Sequence, residues 1–232
     1  DVGGSEHLDR GILSLMAADS CSAADGVATD GVALLARIRE WALELGFGAI
    51  GVADIDLSTA EPGLAAWLEA GFHGEMDYML RHGMKRARAA ELVPGTRRVI
   101  SARLDYWPAA ADAQAVLADG SLAYVSRYAL GRDYHKVLRK RLQQLAERIA
   151  TAVPHAFRVF TDSAPVLEVE LASRSGLGWR GKHTLLLERN AGSYFFLGEI
   201  FTDLPLPLDA PADLRWSVIG HLQTNKAKLV AR

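Results

Sequence analysis

The sequence predicts an α/β or α+β fold in which helices flank a mixed central sheet. The chain has 232 residues and half of them are hydrophobic, which is enough for one large domain with a sizeable core. Segments with helical and strand periodicity alternate along the chain. The last two apolar runs, at 184–187 and 193–197, are joined by Asn190-Ala191-Gly192, so we expect them to form an antiparallel hairpin.

The first half of the predicted domain begins with an amphipathic helix after Asp30. Its apolar residues recur at three- and four-residue steps, and Gly46 ends the run. A short apolar run follows, which is typical of a buried strand. Apolar residues at helical spacing then mark two shorter helices, and the turn Pro94-Gly95 precedes another strand. The predicted elements are a helix from 31 to 45, a strand at 48–53, helices around 64–68 and 75–82, and a strand at 98–102.

The second half contains the clearest helix, which we expect from Asp133 to Ala152 because its apolar residues keep one face throughout. A small-residue stretch at 108–120 precedes it and is expected to be exposed. A strand at 158–161 follows, and Pro165 is expected to open a helix that ends near Ser175. Helices and strands therefore continue to alternate up to the predicted hairpin.

The two ends of the chain lack this patterning. We expect residues 1–30 to be a weakly structured extension, in which Leu8, Ile12, Leu15 and Met16 favour one short helix. We expect the domain to occupy 31–209 and an unrelated tail to occupy 210–232.

Composition excludes several classes of protein. Lys and Arg number 26 against 28 Asp and Glu, so any contact with nucleic acid must be local. The single cysteine, Cys21, excludes a disulfide framework within the chain and a metal site made only of cysteines, and we predict no metal ligands. We expect a cytoplasmic monomer without a membrane contact, because no apolar run is long enough to span a bilayer and no signal peptide pattern is present.

Three segments are dense in residues that carry chemistry. The first, at 127–136, enters the long helix, and Asp133 is placed to cap it or to act in a site. The second, at 161–168, ends a strand in a polar turn where ligands commonly bind, although Asp162 or Ser163 would also serve as a simple cap. The third, at 176–184, is rich in glycine but has neither dinucleotide-binding nor P-loop spacing.

These segments, together with 73–76, 83–88, 92–100 and 193–199, resemble one family. The sequence from about 32 to 209 is similar to the N-terminal, cobalamin-binding part of epoxyqueuosine reductase. The resemblance implies a nitroreductase-like fold and the reduction of epoxyqueuosine in a tRNA anticodon to queuosine. It also implies a bound cobalamin and a low-potential electron donor that acts through two iron–sulfur clusters in a following domain.

The resemblance also implies roles for individual residues. Asp133 corresponds to the proton donor of the family. Arg86, Asp133, Asp162, Ser163, Gly178, Trp179, Lys182 and His183 are the expected cofactor-binding residues. General acid chemistry fits this assignment, because loss of an epoxide oxygen as water needs a proton in the transition state. A carboxyl beside an apolar macrocycle is expected to have a raised pKa.

The sequence departs from the family after Asp209. No cysteine follows Cys21, so we expect this chain to hold neither iron–sulfur cluster. The segment 219–226 instead resembles part of the pyridoxal-phosphate homeostasis proteins, although it lacks the region of their Schiff-base lysine. Two alternatives to an epoxyqueuosine-directed oxidoreductase therefore stay open, which are a cobalamin-binding module without turnover and a pyridoxal-phosphate-binding protein.

Overall fold

A computed structural model describes residues 31–162 and 164–211. Seven α-helices and six β-strands lie in these ranges, with short 3-10 helices at Gly83–Ala87 and Arg127–Ala129. The helices are α1 (Gly31–Glu44), α2 (Glu61–Glu69), α3 (Asp77–His82), α4 (Ala89–Leu92), α5 (Ala113–Ala118), α6 (Tyr134–Ala152) and α7 (Glu168–Arg174). The strands are β1 (Ala49–Ala53), β2 (Arg98–Asp105), β3 (Phe157–Thr161), β4 (Trp179–Arg180), β5 (Leu186–Leu187) and β6 (Phe195–Thr202).

Four of the strands form a central sheet in the order β1-β2-β6-β3, and every pairing in it is antiparallel. The α+β class is therefore confirmed, whereas the expected mixture of parallel and antiparallel strands is wrong for this sheet. Neighbouring strands in the sheet are β1 and β2, β2 and β6, and β6 and β3. The connections from β1 to β2 and from β3 to β6 each begin and end at the same end of the sheet, so the strands that they join run antiparallel.

Helices α1 and α6 cover one face of the sheet. Every second residue of the central strands points to this face, including Ile100 of β2 and Ile200 of β6, both fully buried. Leu138, Leu142 and Leu145 of α6 are also fully buried against it. This apolar cluster is the largest in the described part of the chain, and it fixes the position of α6 on the sheet.

Helix α7 covers the opposite face and lies between two smaller apolar clusters. Gly51 of β1 permits this close packing, because a Cβ on Gly51 would lie 2.1 Å from the Ser175 carbonyl oxygen at the end of α7. The two clusters meet at Glu199 of β6, which separates Leu197 of one cluster from Phe201 of the other on the same strand face.

Most of the predicted elements are confirmed at their predicted positions, and the stretch at 108–120 is exposed or partly exposed although it contains α5. The predicted hairpin is present only as one antiparallel bridge between Glu188 and Gly192, since Leu186–Leu187 pairs with Trp179–Arg180 while β6 pairs with β2 and β3. Helix α7 begins at Glu168, three residues after Pro165, because residues 164–167 are bent or irregular and Leu167 has a non-helical backbone. The predictions for residues 1–30 and for most of the 210–232 tail lie outside the described residues.

None of the helices within 31–162 and 164–211 combines the length and the apolar character that crossing a membrane requires.

Candidate functional site

The N-terminus of α6 carries the residue that the sequence singles out as a proton donor. Asp133 is the N-cap of this helix, and its Oδ1 accepts a hydrogen bond from the backbone N–H of His135 at 3.0 Å. Its side chain is about half exposed, and Lys136 Nζ lies 3.9 Å from its other oxygen. Both interpretations of Asp133 are therefore compatible with the geometry, because the cap leaves one carboxylate oxygen directed at its surroundings.

His135 connects Asp133 to a second carboxylate. Its Nδ1 lies 3.0 Å from Asp133 Oδ1 and its Nε2 lies 2.7 Å from Asp162 Oδ2. An imidazole with a carboxylate on each ring nitrogen donates from both when it is protonated. The two aspartates predicted from separate segments are thus joined through one histidine.

Asp162 occupies a backbone position that few residues adopt. Its φ is +32°, in the left-handed region that asparagine and aspartate tolerate better than most side chains. The same carboxylate oxygen accepts a 2.6 Å hydrogen bond from the Tyr134 hydroxyl. The turn after β3 therefore directs this carboxylate at two consecutive residues of α6.

The protonation states follow from these contacts. The hydrogen bond to Asp162, with a further one to Asp133, raises the pKa of His135 above its ordinary value. The hydrogen bond from His135 lowers the pKa of Asp133, which is opposite to the rise that the sequence argument expects. Asp133 is half exposed, so burial does not offset the hydrogen bond that it accepts from His135. The two directions together favour a proton on His135 over one on Asp133.

An aromatic stack continues from this cluster. The Tyr134 and Phe196 rings are parallel within 2°, with centroids 3.8 Å apart, and the His135 ring stacks on Tyr134 at 4.0 Å. Phe196 in turn contacts Tyr106 at 4.4 Å. Burial, together with the hydrogen bond to Asp162, raises the pKa of Tyr134, so its hydroxyl stays a donor. The stack holds the first turn of α6 against β6.

A cavity of about 110 Å³ adjoins this stack, and Tyr134, Asp162 and Glu168 all line it. Burial, and after it the charge of Asp162, raise the pKa of Glu168 to about 7. Glu199 lies deeper and is only 1% exposed, and burial followed by the charge of Glu168 raises its pKa well above the ordinary value. The site thus has a solvent-facing pair of aspartates and an inward pair of glutamates.

A larger groove of about 590 Å³ lies on the other side of Glu168. Apolar side chains from α2, α3 and the turn before α7 form most of its wall, and Arg180 and Thr184 add polar groups. Its apolar lining residues include Leu64, Trp67, Met79, Val166 and Leu167. This wall suits one face or edge of a flat apolar ring, and the polar groups suit the amide side chains that a corrinoid carries on its rim.

The glycine-rich segment at 176–184 borders this groove. The glycine at position 178 is required by the packing of two strands. A Cβ on Gly178 would lie 2.1 Å from the Leu187 carbonyl oxygen, so β4 and β5 approach each other only with glycine there. Trp179 is partly buried in β4, whereas Lys182 and His183 are exposed in the turn that follows. The structure places these residues together without showing what they bind, so their cofactor roles stay predictions.

Arg86 lies apart from the aspartate cluster. It is buried in the 3-10 helix Gly83–Ala87, where its guanidinium stands 5.8 Å from the Tyr78 ring centre and donates a long hydrogen bond of 3.4 Å to the Tyr78 carbonyl. Its buried Nε has no hydrogen-bond partner among the described residues. No described pocket joins Arg86 to Asp133, and Ser163 lies outside the described residues.

A basic groove runs from Asp133 along the exposed side of α6. It has a volume of about 510 Å³, and its cationic lining residues are Arg132, Lys136, Lys140 and Arg141. Among the described residues, no group of three or more histidine, cysteine, aspartate or glutamate side chains has the geometry to hold a metal ion.

The sequence analysis missed four residues that the structure brings into this site, which are Tyr134, His135, Glu168 and Glu199. Two features of the sequence point to His135 and Glu199. His135 follows the capping residue Asp133 by two positions, and at this spacing its side chain can contact the cap. Glu199 is the one charged residue in the apolar run of β6.

Comparisons with known proteins identify the family that shares these segments. The family model described as "Epoxyqueuosine reductase QueG, DUF1730" matches residues 86–163, which include Asp133 and Asp162. The epoxyqueuosine reductase of Burkholderia pseudomallei is 66% identical, and the alignment covers 76% of this chain and 47% of that protein. The Pseudomonas aeruginosa enzyme is 60% identical over 82% of this chain and 53% of its own length.

This chain is related to the epoxyqueuosine reductases. It spans about half the length of the curated relatives it matches. A solved epoxyqueuosine reductase with an epoxyqueuosine-modified stem loop of tyrosine tRNA has the same fold, with a TM-score of 0.67 at 23% identity over 79% of this chain and 49% of that one. A catabolic reductive dehalogenase, NpRdhA, shares the fold with a TM-score of 0.51 at 17% identity over 84% of this chain and 23% of that one.

Proposed function

We propose that this chain is the part of an epoxyqueuosine reductase that binds the corrinoid and protonates the epoxide. The observation that carries the proposal is the pairing of His135 with Asp133 and Asp162 at the start of α6, next to the cavity and groove on either side of Glu168. The family match and the identity of about 60% to named epoxyqueuosine reductases support the assignment.

The proton chemistry follows from this cluster. When an epoxide opens, its oxygen gains negative charge and needs a proton in the transition state. His135 holds a proton between two carboxylates, and Asp133 presents its second oxygen toward the exterior. We infer that His135 transfers its proton to Asp133 across their shared hydrogen bond and that Asp133 passes this proton to the epoxide oxygen.

Cobalamin supplies the electron chemistry when it is bound, with a low-potential donor as the electron source. The apolar groove beside α7 would hold the macrocycle, and Trp179, Lys182 and His183 lie on the segment that borders it. The dehalogenase likeness supports only the choice of fold. Iron–sulfur clusters would be supplied by a part of the enzyme that contains the cysteines.

The partner in this proposal is the anticodon arm of a tRNA. A phosphate backbone is attracted to clustered cations, and the α6 groove presents four of them beside Asp133. Such a groove would position the modified base at the proton donor while the chain as a whole keeps its net charge of −2. The structure of a relative with a tRNA stem loop supports the choice of partner.

The test is conversion of epoxyqueuosine to queuosine, measured by mass spectrometry on an anticodon stem-loop. The chain is loaded with cobalamin and supplied with a small, strongly reducing chemical donor. We expect slow conversion by the wild-type protein and a loss of about 10²–10⁴-fold in Asp133→Asn, since asparagine keeps the cap but cannot supply the proton. A corrinoid absorbance spectrum should be unchanged in the variant.

Asp112→Asn is the matched control, because Asp112 also caps a helix through its side chain but lies at α5. We expect it to convert epoxyqueuosine at the wild-type rate. Equal rates in Asp133→Asn and the wild type would remove Asp133 from the mechanism. A corrinoid spectrum without any conversion would favour the cobalamin-binding module instead.

A further inference from the structure

Glu199 is a carboxyl buried in the middle of the sheet, and it forms no ion pair with any residue in 31–162 or 164–211. It lies on β6 between two apolar clusters and beneath α7, and it is 1% exposed. Its Oε1 makes no hydrogen bond with any residue in the described part of the chain. Ser101, its register partner on β2, is fully buried and its hydroxyl is equally without a partner there. A charged carboxylate in such a place is costly, so a neutral, protonated one is favoured.

Glu168 connects this buried group with the aspartate cluster. It is the first residue of α7, it is close enough to Glu199 for the two carboxyls to affect each other's protonation, and it lines the cavity that Tyr134 and Asp162 also line. The cavity volume of about 110 Å³ exceeds the ~30 Å³ that one water occupies in the liquid. The cavity therefore has room for water between Glu168 and Asp162.

The other charged groups around Glu199 are already engaged. Arg103, on the same face of β2, pairs with Asp105 and Glu188. Arg158 of β3 lies over the Phe160 ring. On α7, Arg174 pairs with Glu170. Among the described residues, Glu168 is the group whose charge acts on Glu199, and it shares a cavity with Asp162 and Tyr134, both next to His135.

The proposed reaction needs two protons. When an epoxide is reduced to an alkene, both carbon–oxygen bonds break, a carbon–carbon double bond forms, and the oxygen leaves as water after taking up two electrons and two protons. The electrons come from the low-potential donor of the proposed function. In the proposed function the His135–Asp133 pair delivers one of these two protons, so the reaction needs a source for the other.

We propose that Glu199 and Glu168 store the second proton and deliver it through the cavity to the Asp162 cluster. This inference rests on the proposed function for its use of the proton. The storage itself is a property of this chain alone. Both glutamates act through other groups, so they are positioning residues for the proton and not catalytic residues.

Infrared difference spectroscopy of the whole chain without cofactor tests the storage. At pH 7 the wild-type protein should show the carbonyl stretch of protonated carboxylic acid, and Glu199→Gln should remove the part of it that comes from Glu199. Glu168→Gln should keep the band of Glu199 but move its titration midpoint down by about one pH unit or more, because a neighbouring negative charge is gone. Glu170→Gln is the control on the same helix and should change neither.

The two proposals fail in different ways. A wild-type protein without such a band at pH 7, or a band that neither glutamate substitution alters, would overturn the proton store even if epoxyqueuosine is converted. A band that behaves as expected in a protein without conversion would leave the store in place and refute the proposed function. If Glu199→Gln does not fold, the midpoint in Glu168→Gln decides the question. If the protein converts epoxyqueuosine, the conversion rate of Glu168→Gln relative to the wild type should be lower at pH 8 than at pH 6.

Discussion

Substituting Glu168 by glutamine should change how the stability of the protein depends on pH. The pKa of Glu168 is raised from the ordinary 4.5 to about 7. A carboxyl whose pKa is higher in the folded state binds a proton more tightly there, so its stabilising contribution is full below about pH 4.5 and is lost as the pH rises through about 7. At 1.36 kcal/mol for each pKa unit, that contribution is about 3 kcal/mol.

The expected result is a difference that varies with pH. Relative to the wild type, Glu168→Gln should gain about 3 kcal/mol of unfolding free energy between pH 4.5 and pH 7, because glutamine is neutral throughout. Asp133 and His135 titrate in both proteins, so their contributions cancel in the difference. Urea denaturation at several pH values, followed by circular dichroism, gives the free energies.

Glu170→Gln is the matched control, since Glu170 lies two residues further along α7 and is paired with Arg174. Its difference from the wild type should stay nearly constant over the same pH range. The reasoning about burial would be refuted if the Glu168→Gln difference were flat, or if it fell as the pH rose.

Two further substitutions test the site and the fold. Asp162→Asn should lower the pKa of His135, because the hydrogen bond to Asp162 is the main cause of the raised pKa. An NMR titration of the imidazole protons measures the pKa of His135. An unchanged pKa would show that Asp133 alone raises the pKa of His135. Gly178→Ala should destabilise the protein by about 1–3 kcal/mol in thermal unfolding, since its Cβ would clash with the Leu187 carbonyl oxygen. Gly120→Ala should have little effect on stability, because the added Cβ would meet nothing within 4 Å. Equal losses of stability in Gly178→Ala and Gly120→Ala would refute the argument from strand packing.

Periodicity predicted the elements that have a long apolar face. Helix α6 begins one residue after the capping Asp133 and ends at the predicted residue, because 19 residues give several repeats of the same face. Pairing of the short strands was not predictable in this way. Leu186–Leu187 has only two residues, and its composition is compatible with either β4 or β6 as partner. Its partner is decided by the close approach at Gly178, which a sequence pattern does not contain.

The burial of Glu199 was also not predictable from hydrophobic periodicity. Strand β6 is buried on both faces, so its sequence is continuously apolar and does not alternate. Glu199 interrupts that run, but a single carboxyl in a strand does not show whether the sheet covers it or solvent reaches it. The answer depends on α7, which lies over Glu199 only because Gly51 and the end of the helix pack closely.

Asp133 and Asp162 lie in one site because α6 and the segment after it have similar lengths. Both lengths can be estimated from the sequence. Helix α6 has 19 residues and rises by about 28 Å from its N-terminus to its C-terminus. The ten residues from Val153 to Asp162 are mostly extended and span roughly 33 Å when they run back along the helix. The return therefore ends beside the start of α6, where Asp162 meets His135 and Tyr134. A helix followed by an extended return of equal length brings its first and last residues together. The distance of 29 positions between Asp133 and Asp162 is thus compatible with one site made of two motifs, and the register of β3 on β6 then holds Asp162 beside His135.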